Sequence, residues 1–373
     1  MKIVIIGPYP PPLGGISIHI QRVAQHARRV GLDVEIIDDS NGPHTASDVH
    51  PIQNYTKFLL RFPWIQGDLF HFHTISKRVR MLLGLYAWFG KKIVLTVHGE
   101  SLMQQIQYAN SIERYWLLNS LKSIHRILCV NERDAQKLVE MGFSHEQVMT
   151  LPAYIPPLST QHHDDHAIPD KVIEFLTHRD FTIAANGYIR FYRGGELYGA
   201  DQLITLLQRL RELNYEVRVL FALMGVTEQS EEERAYYEGL KIQLQETGLA
   251  EFFMFYEVKN TELHPILQNA QLFIRPTLTD GYGVSIAEAL ACGIPAVASD
   301  VCLRPEGALL YSAGSVDELL TLVVQVIEHY ASYQESVVQL PAPDYLSPLL
   351  KVYEAAFGNE NLSNPFTLGK YGE

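Results

Sequence analysis

A chain of 373 residues, 47% of them hydrophobic and only 19% charged, has apolar material for more than one core, and two domains are expected. The net charge of -12 argues against a nucleic-acid partner, but it is uneven: residues 1–150 hold 16 Lys and Arg against 12 Asp and Glu, a net of +4, and the remainder holds 14 against 30, a net of -16. Three cysteines, Cys129, Cys292 and Cys302, lack CxxC or CxxxC spacing, so buried thiols in a reducing cytoplasm are expected rather than disulfides or a zinc site.

The chain opens with the β-branched run Lys2–Gly7, then a Pro-rich stretch, then Ile16, Ile20, Val23, Ala24 and Ala27 at helical spacing. Gly31 closes that helix and Val34–Ile37 supplies a second strand, which makes the opening βαβ unit of a parallel sheet. Further strands are predicted at Leu69–Phe72, Ile93–Val97 and Arg126–Val130, with helices at Ser111–Ser123 and Glu132–Met141. The longest apolar run, Met81–Gly90, is about half of the ~20 residues that cross a bilayer, and the N-terminus lacks a signal-peptide pattern. Lys77, Arg78, Arg80, Lys91 and Lys92 bracket this run, so residues 77–92 are a candidate basic amphipathic face for peripheral contact with the inner surface of a membrane.

Proline and polar residues without periodicity mark a linker at 156–170. The alternation then restarts, with strands at Phe181–Asn186, Val217–Met224, Phe252–Tyr256, Gln271–Arg275 and Ala296–Ser299. Helices are predicted at Asp201–Leu213, Glu231–Thr247, Ser285–Cys292 and Val316–Tyr330. The reading is α/β: a doubly wound domain over 1–155, a second over 171–343, and a final helix, Tyr345–Phe357, that packs back on the first domain before a loose tail, both within 344–373.

Three segments carry chemistry. Gly14 and Gly15 follow the first strand and open a helix, where backbone amides can approach a phosphate. A nicotinamide dehydrogenase is the rival there, with Asp38 and Asp39 ending the second strand, but the glycines are not GxGxxG. His98 directly follows the strand Ile93–Val97, where it can hydrogen-bond a sugar hydroxyl or a developing charge. His71 and His73 alternate on one strand, but no third ligand is placed beside them, so no metal site is expected.

The most informative segment runs from Arg275 to Asp300. Gly281 and Gly283 keep Asp280 on a turn, and the following helix carries Glu288 two turns along. The amides of Gly281, Tyr282, Gly283, Val284 and Ser285 then open a positive helix end between two carboxylates, an arrangement suited to a nucleotide sugar.

On these residues the chain resembles the retaining nucleotide-sugar glycosyltransferases of family 4, over nearly its whole length. Asp280 and Glu288, with seven residues between them, are similar to that family's acid-x7-acid signature; His98-Gly99 and Gly14-Gly15 are similar to its cleft histidine and its glycine loop. The resemblance implies the GT-B fold, two Rossmann-like domains facing a cleft, with a C-terminal crossing helix. It implies Asp280 on the transferred sugar, Glu288 on the ribose, His98 near the reacting carbon, and the glycine loop with the Tyr282–Ser285 amides on the diphosphate. The family's first acid is usually glutamate, and its arginine is followed five residues on by Lys-Gly; here Arg193 is followed by Tyr198-Gly199. One cation is missing, and Arg190 or Arg275 is the candidate replacement.

The expected activity is therefore retaining transfer of a sugar from a nucleotide-diphosphate sugar, a UDP-sugar first and a GDP-sugar second, to a saccharide or lipid-linked acceptor in cell-surface polysaccharide or glycolipid synthesis. No DxD-like cluster stands at a strand end, so neither a metal ion nor a further cofactor is expected in the transfer. Two alternatives stand beside it: a nucleotide-sugar epimerase on the same fold, and a non-catalytic nucleotide-sugar-binding partner protein.

Overall fold

The computed structural model describes residues 1–11, 13–40, 42, 46–99, 101–158, 168–258, 261–341 and 344–356. The middle of the expected linker, the last residue of the expected final helix and the tail beyond it lie outside the described residues. The chain divides into two units, Met1–Leu151 with Asp344–Glu373, and Pro152–Pro343.

In the first unit seven strands, β1 (Lys2–Gly7), β2 (Asp33–Asp38), β3 (Val49–Pro51), β4 (Leu69–Phe72), β5 (Ile93–Val97), β6 (Arg126–Cys129) and β7 (Val148–Thr150), form one parallel sheet in the order 3-2-1-4-5-6-7. β1, β4 and β5 are almost wholly buried, as continuous apolar runs covered by helices on both faces must be. Ile5 pairs with His71, and His71 in turn with Val94, so the carboxyl ends of β1, β4 and β5 lie side by side. Gly7 is required at that point: a Cβ would stand 2.9 Å from the Cβ of His73 and 2.7 Å from Ile20.

In the second unit β8 (Phe181–Gly187), β11 (Val217–Leu223), β12 (Phe253–Glu257), β13 (Leu272–Arg275), β14 (Ala296–Ser299) and β15 (Leu309–Tyr311) form a parallel sheet in the order 12-11-8-13-14-15. The hairpin β9 (Phe191–Tyr192) and β10 (Gly195–Glu196) interrupts the alternation between β8 and its following helix. Separate hydrophobic clusters cover the two faces, one built around Leu203, Leu207, Phe221 and Val323, the other around Phe175, Phe273, Ile286 and Ala289. In each sheet the strand order reverses once, between β1 and β4 and between β8 and β13, the place where open α/β sheets leave room for a ligand.

Several sequence expectations need correction. The helix expected over Val316–Tyr330 is two, Val316–Glu328 and Tyr330–Val338, joined at His329. Arg80 is not on a basic surface: it is fully buried, donating to the Thr74 carbonyl, Gln105 and Ser101, and burial lowers its pKa to about 10. Of the cysteines only Cys129 is buried; Cys292 and Cys302 are half-buried. The helix Leu346–Ala355 groups with the first unit, and its buried Tyr353 hydroxyl lies 2.7 Å from His71 Nδ1. Among the described residues, no helix is long and apolar enough to cross a membrane.

Candidate active site

At the reversal point of the second sheet, Arg275 ends β13 and reaches sideways to the end of β8, where its Nη1 donates to the Asn186 carbonyl at 3.1 Å and to Asn186 Oδ1 at 3.0 Å. Its Nε donates to Asp280 Oδ2 at 3.1 Å, and Arg304 Nη1 donates to the same oxygen at 2.8 Å. The other carboxylate oxygen accepts from the Gly281 amide at 2.9 Å. Burial alone would push Asp280 up, but the two guanidinium charges outweigh it and hold the carboxyl below its usual range. Arg304 is itself fixed from three sides, by the Ser299 carbonyl, Ser299 Oγ and Thr277 Oγ1.

The helix Val284–Ala291 starts immediately beyond this network. Gly283 caps it with φ +86°, and a Cβ there would meet Ile286 at 2.6 Å and Arg304 at 2.9 Å, so both the backbone conformation and the space demand glycine. Tyr282, Ser285 and Glu288 are buried along the start of the helix. Ser285 Oγ is buried without a hydrogen-bond partner among the described residues, one turn from Glu288 and next to the helix end that favours an anion.

Tyr198, where the resemblance expects a lysine, is tightly placed. Tyr198 packs its ring against Gly187 at the end of β8, where a Cβ would come within 2.5 Å of it, and Arg275 holds its guanidinium 5.0 Å from the ring centre. Glu196 anchors this turn by accepting from the Tyr198 and Ala200 amides, and burial raises its pKa to about 7. Arg275 therefore stands beside Tyr198. The Arg190 guanidinium is turned to Glu233 instead, where Nη1 donates to both carboxylate oxygens at 2.9 Å. Arg193 is exposed at the tip of the β9–β10 hairpin, at φ 49° and with its guanidinium 5.2 Å from the Tyr192 ring. It is thus Arg275 and Arg304, and not Arg193, that ion-pair with Asp280.

In the first unit, Gly14 caps the helix Gly15–Arg29 with extended backbone and exchanges hydrogen bonds with Ser17. A Cβ on Gly15 would meet nothing within 4 Å, so packing does not demand that glycine and the space before it is open. Asp38, the acid a dehydrogenase would turn toward a ribose, is fully buried and accepts from the Tyr9 amide and from the amide and hydroxyl of Ser40. His98, after β5, lies with its Nε2 2.9 Å from His73 Nδ1, and His19 from the first helix joins them. Burial, followed by the neighbouring imidazoles, holds His73 and His98 well below the ordinary histidine pKa, hence neutral.

Sequence reasoning missed Asn186, Arg304 and His19. Nothing in the spacing of these residues links them to the acidic turn or to His98; they arrive there only through strand order.

Two family models match the chain: Glycosyltransferase Family 4 over residues 13–157 and Glycosyl transferases group 1 over residues 191–316. The chain belongs to the group 1 glycosyltransferases. It is 26% identical over 156 residues to the O-antigen chain mannosyltransferase B of Escherichia coli, a match that takes in 40% of this chain and 39% of that protein. Among solved structures it is similar to Alr3699/HepE of Anabaena in complex with UDP, with a TM-score of 0.69, 14% identity, and coverage of 96% of this chain and all of the other. It is also similar to a glycosyltransferase from Rickettsia africae, with a TM-score of 0.70, 14% identity, and coverage of 96% and 99%. The fold is GT-B.

The network around Asp280 makes a prediction of its own. Asp280→Asn leaves the buried Arg304 and the half-buried Arg275 without their counter-charge and should cost roughly 3–5 kcal/mol in urea unfolding at neutral pH. Because the folded carboxyl titrates below its unfolded value of about 3.9, its contribution is present above that pH and is lost as the pH falls through the folded value; the acid limb should be shallower in Asp280→Asn. Unchanged stability in the variant would contradict this reading of the network.

Proposed function

We propose that this chain is a retaining glycosyltransferase that moves a hexose from a nucleotide-diphosphate sugar to a saccharide or lipid-linked acceptor in cell-surface polysaccharide or glycolipid synthesis. The observation that carries the proposal is the strand–turn–helix from Arg275 to Ala291, with Asp280 held by two arginines, a glycine-capped helix end, an unpartnered buried Ser285 hydroxyl and Glu288 on the same helix. Family membership supports the reaction class, and the UDP in the HepE complexes supports a UDP-sugar ahead of a GDP-sugar.

In this reading Glu288 accepts hydrogen bonds from the ribose, and the amides from Gly281 to Ser285, with Gly14 and Gly15, receive the diphosphate. The roles on the transferred sugar fall to Asp280 and His98. The chemical difficulty is the charge that develops on the departing diphosphate beside an oxocarbenium-like sugar, and groups fixed in advance stabilise it best. Arg275 takes the place of the missing lysine, supported by its position over Tyr198, and exposed Arg193 at the hairpin tip supplies the other positive charge. Protein cations and helix amides thus serve the leaving group, and the transfer needs no metal ion.

Slow hydrolysis of the donor tests this without knowledge of the acceptor. Wild-type protein with UDP-glucose or another α-linked donor should release the α-sugar first, as followed by proton NMR, and Glu288→Ala should slow release about a hundredfold, equivalent to ~2.7 kcal/mol. Initial release of the β-sugar would rule out retention, and release of a converted sugar would favour the epimerase.

Peripheral membrane contact is part of the proposal. The helices Lys77–Trp88 and Ser111–Lys122 lie side by side, joined by Lys77–Glu113 at 2.9 Å and by the Gly84 amide on Ser120 Oγ at 2.8 Å. Their outer faces expose Leu85, Trp88, Phe89, Ile112, Tyr115 and Trp116, with Arg78 and Arg114 among them. Tryptophan and tyrosine with cationic neighbours suit an anionic lipid surface. The wild type should co-sediment with phosphatidylglycerol vesicles, and Trp88→Ser with Trp116→Ser should reduce the bound fraction severalfold; equal binding by the variant would refute the contact.

A further inference from the structure

Three histidines of the first unit converge from separate elements: His19 on the helix after β1, His73 just past β4 and His98 just past β5. One nitrogen from each lies within 4.8 Å of the other two, and the three ring centres form a nearly equilateral triangle with sides of 5.2, 5.3 and 5.4 Å. Three imidazoles on a tetrahedral ion, each bound at ~2.0–2.1 Å, have their nitrogens ~3.3–3.4 Å apart and their ring centres about 5 Å apart. The arrangement is therefore within small side-chain rotations of a tri-histidine metal site. We propose that His19, His73 and His98 bind a late first-row divalent ion, of which Zn2+ is the natural probe.

Two further observations support a missing partner. His73 is 1% exposed, and its Nε2 has no hydrogen-bond partner among the described residues, while its Nδ1 is 2.9 Å from His98 Nε2. Whichever tautomer it adopts, one buried nitrogen of this ring is left over, which ordinarily costs about 1–3 kcal/mol. The ring also has a rigid support: His71 lies against it, tilted by 45° with ring centres 4.1 Å apart, and is itself fixed between Thr96 Oγ1 and the Tyr353 hydroxyl, each at 2.7 Å.

The donor set selects the ion. Neutral imidazoles with no carboxylate among them suit Zn2+, Cu2+, Ni2+ or Co2+ and not Mg2+, Ca2+ or Mn2+. Three protein ligands would leave the fourth tetrahedral place to water or another ligand. Ligation through His73 Nε2 gives that nitrogen its partner and breaks the His73–His98 hydrogen bond; each neutral ring keeps its one proton on the nitrogen the ion does not use, so no group has to lose one. Resting on the role proposed above for His98, an ion here takes that imidazole out of the transfer and makes zinc an inhibitor. The binding site itself does not depend on that role, so the loss of one reading leaves the other standing.

The test uses the full chain, stripped with chelator and loaded with one equivalent of Zn2+ or Co2+. X-ray absorption of the zinc form should show three imidazole nitrogens, and the cobalt form should show the visible bands of tetrahedral Co2+, bleached by zinc. His19→Gln and His98→Gln should each weaken zinc binding about a hundredfold with little change in the metal-free melting temperature. Replacement of His162, His163 and His166, the histidines of the segment 161–167, should leave binding unchanged. Fewer than three imidazoles per zinc in the wild type, or zinc binding lost with those three and retained in His19→Gln, would overturn the proposal.

Discussion

Everything that gives this protein a site follows from one constraint, the parallel pairing of strands distant in sequence at the point where each sheet reverses its order. β8 pairs with β13 across nearly ninety residues of chain, and only that pairing brings Arg275 within hydrogen-bond reach of Asn186 and sets Tyr198 beneath its guanidinium. The pairing of β1 with β4 does the same in the first unit, where a glycine at the end of β1 leaves room for His73. Loop-closure entropy opposes such contacts, and the almost unbroken burial of the central strands is what offsets it.

Electrostatics then distinguishes the two reversal points. In the second unit a half-buried carboxylate is kept ionised by two guanidiniums, one of them buried, so the turn before the helix Val284–Ala291 is already held and charged when an anion arrives. The energetic value is preorganisation: the arginines are positioned by protein groups, Asn186, Thr277 and Ser299. In the first unit the polar groups are imidazoles held neutral by burial, which suits hydrogen bonding or metal ligation and not anion capture.

How much of this was legible in the sequence depends on the range of the signal. Local patterns sufficed for the central strands: Leu69–Phe72, Ile93–Val97 and Ala296–Ser299 were read with the bounds that the structure has. The acidic turn was legible too, because glycines, acid and helix are neighbours in sequence. The β9–β10 hairpin was missed, since strands of two residues carry no periodicity, and with it the exposure of Arg193 at its tip. Arg80 illustrates the other failure. Sequence places it among surface cations, whereas Thr74, Ser101 and Gln105, none of them a residue that spacing singles out, supply the acceptors that let it be buried. His19 and Arg304 were invisible for the same reason: what they touch is decided by strand order.

The central claim is that the turn and helix from Arg275 to Ala291 hold a nucleotide sugar. The most direct measurement is thermal stabilisation by a panel of UDP-, GDP-, ADP- and dTDP-sugars without added metal, in the wild type and in Glu288→Ala. A donor at ~100 times its dissociation constant adds ~2.7 kcal/mol of stability, a readily measured shift. The account predicts that one nucleotide class, UDP foremost, raises the melting temperature of the wild type and that Glu288→Ala loses the effect. No shift from any donor at millimolar concentration, or an equal shift in Glu288→Ala, would contradict it.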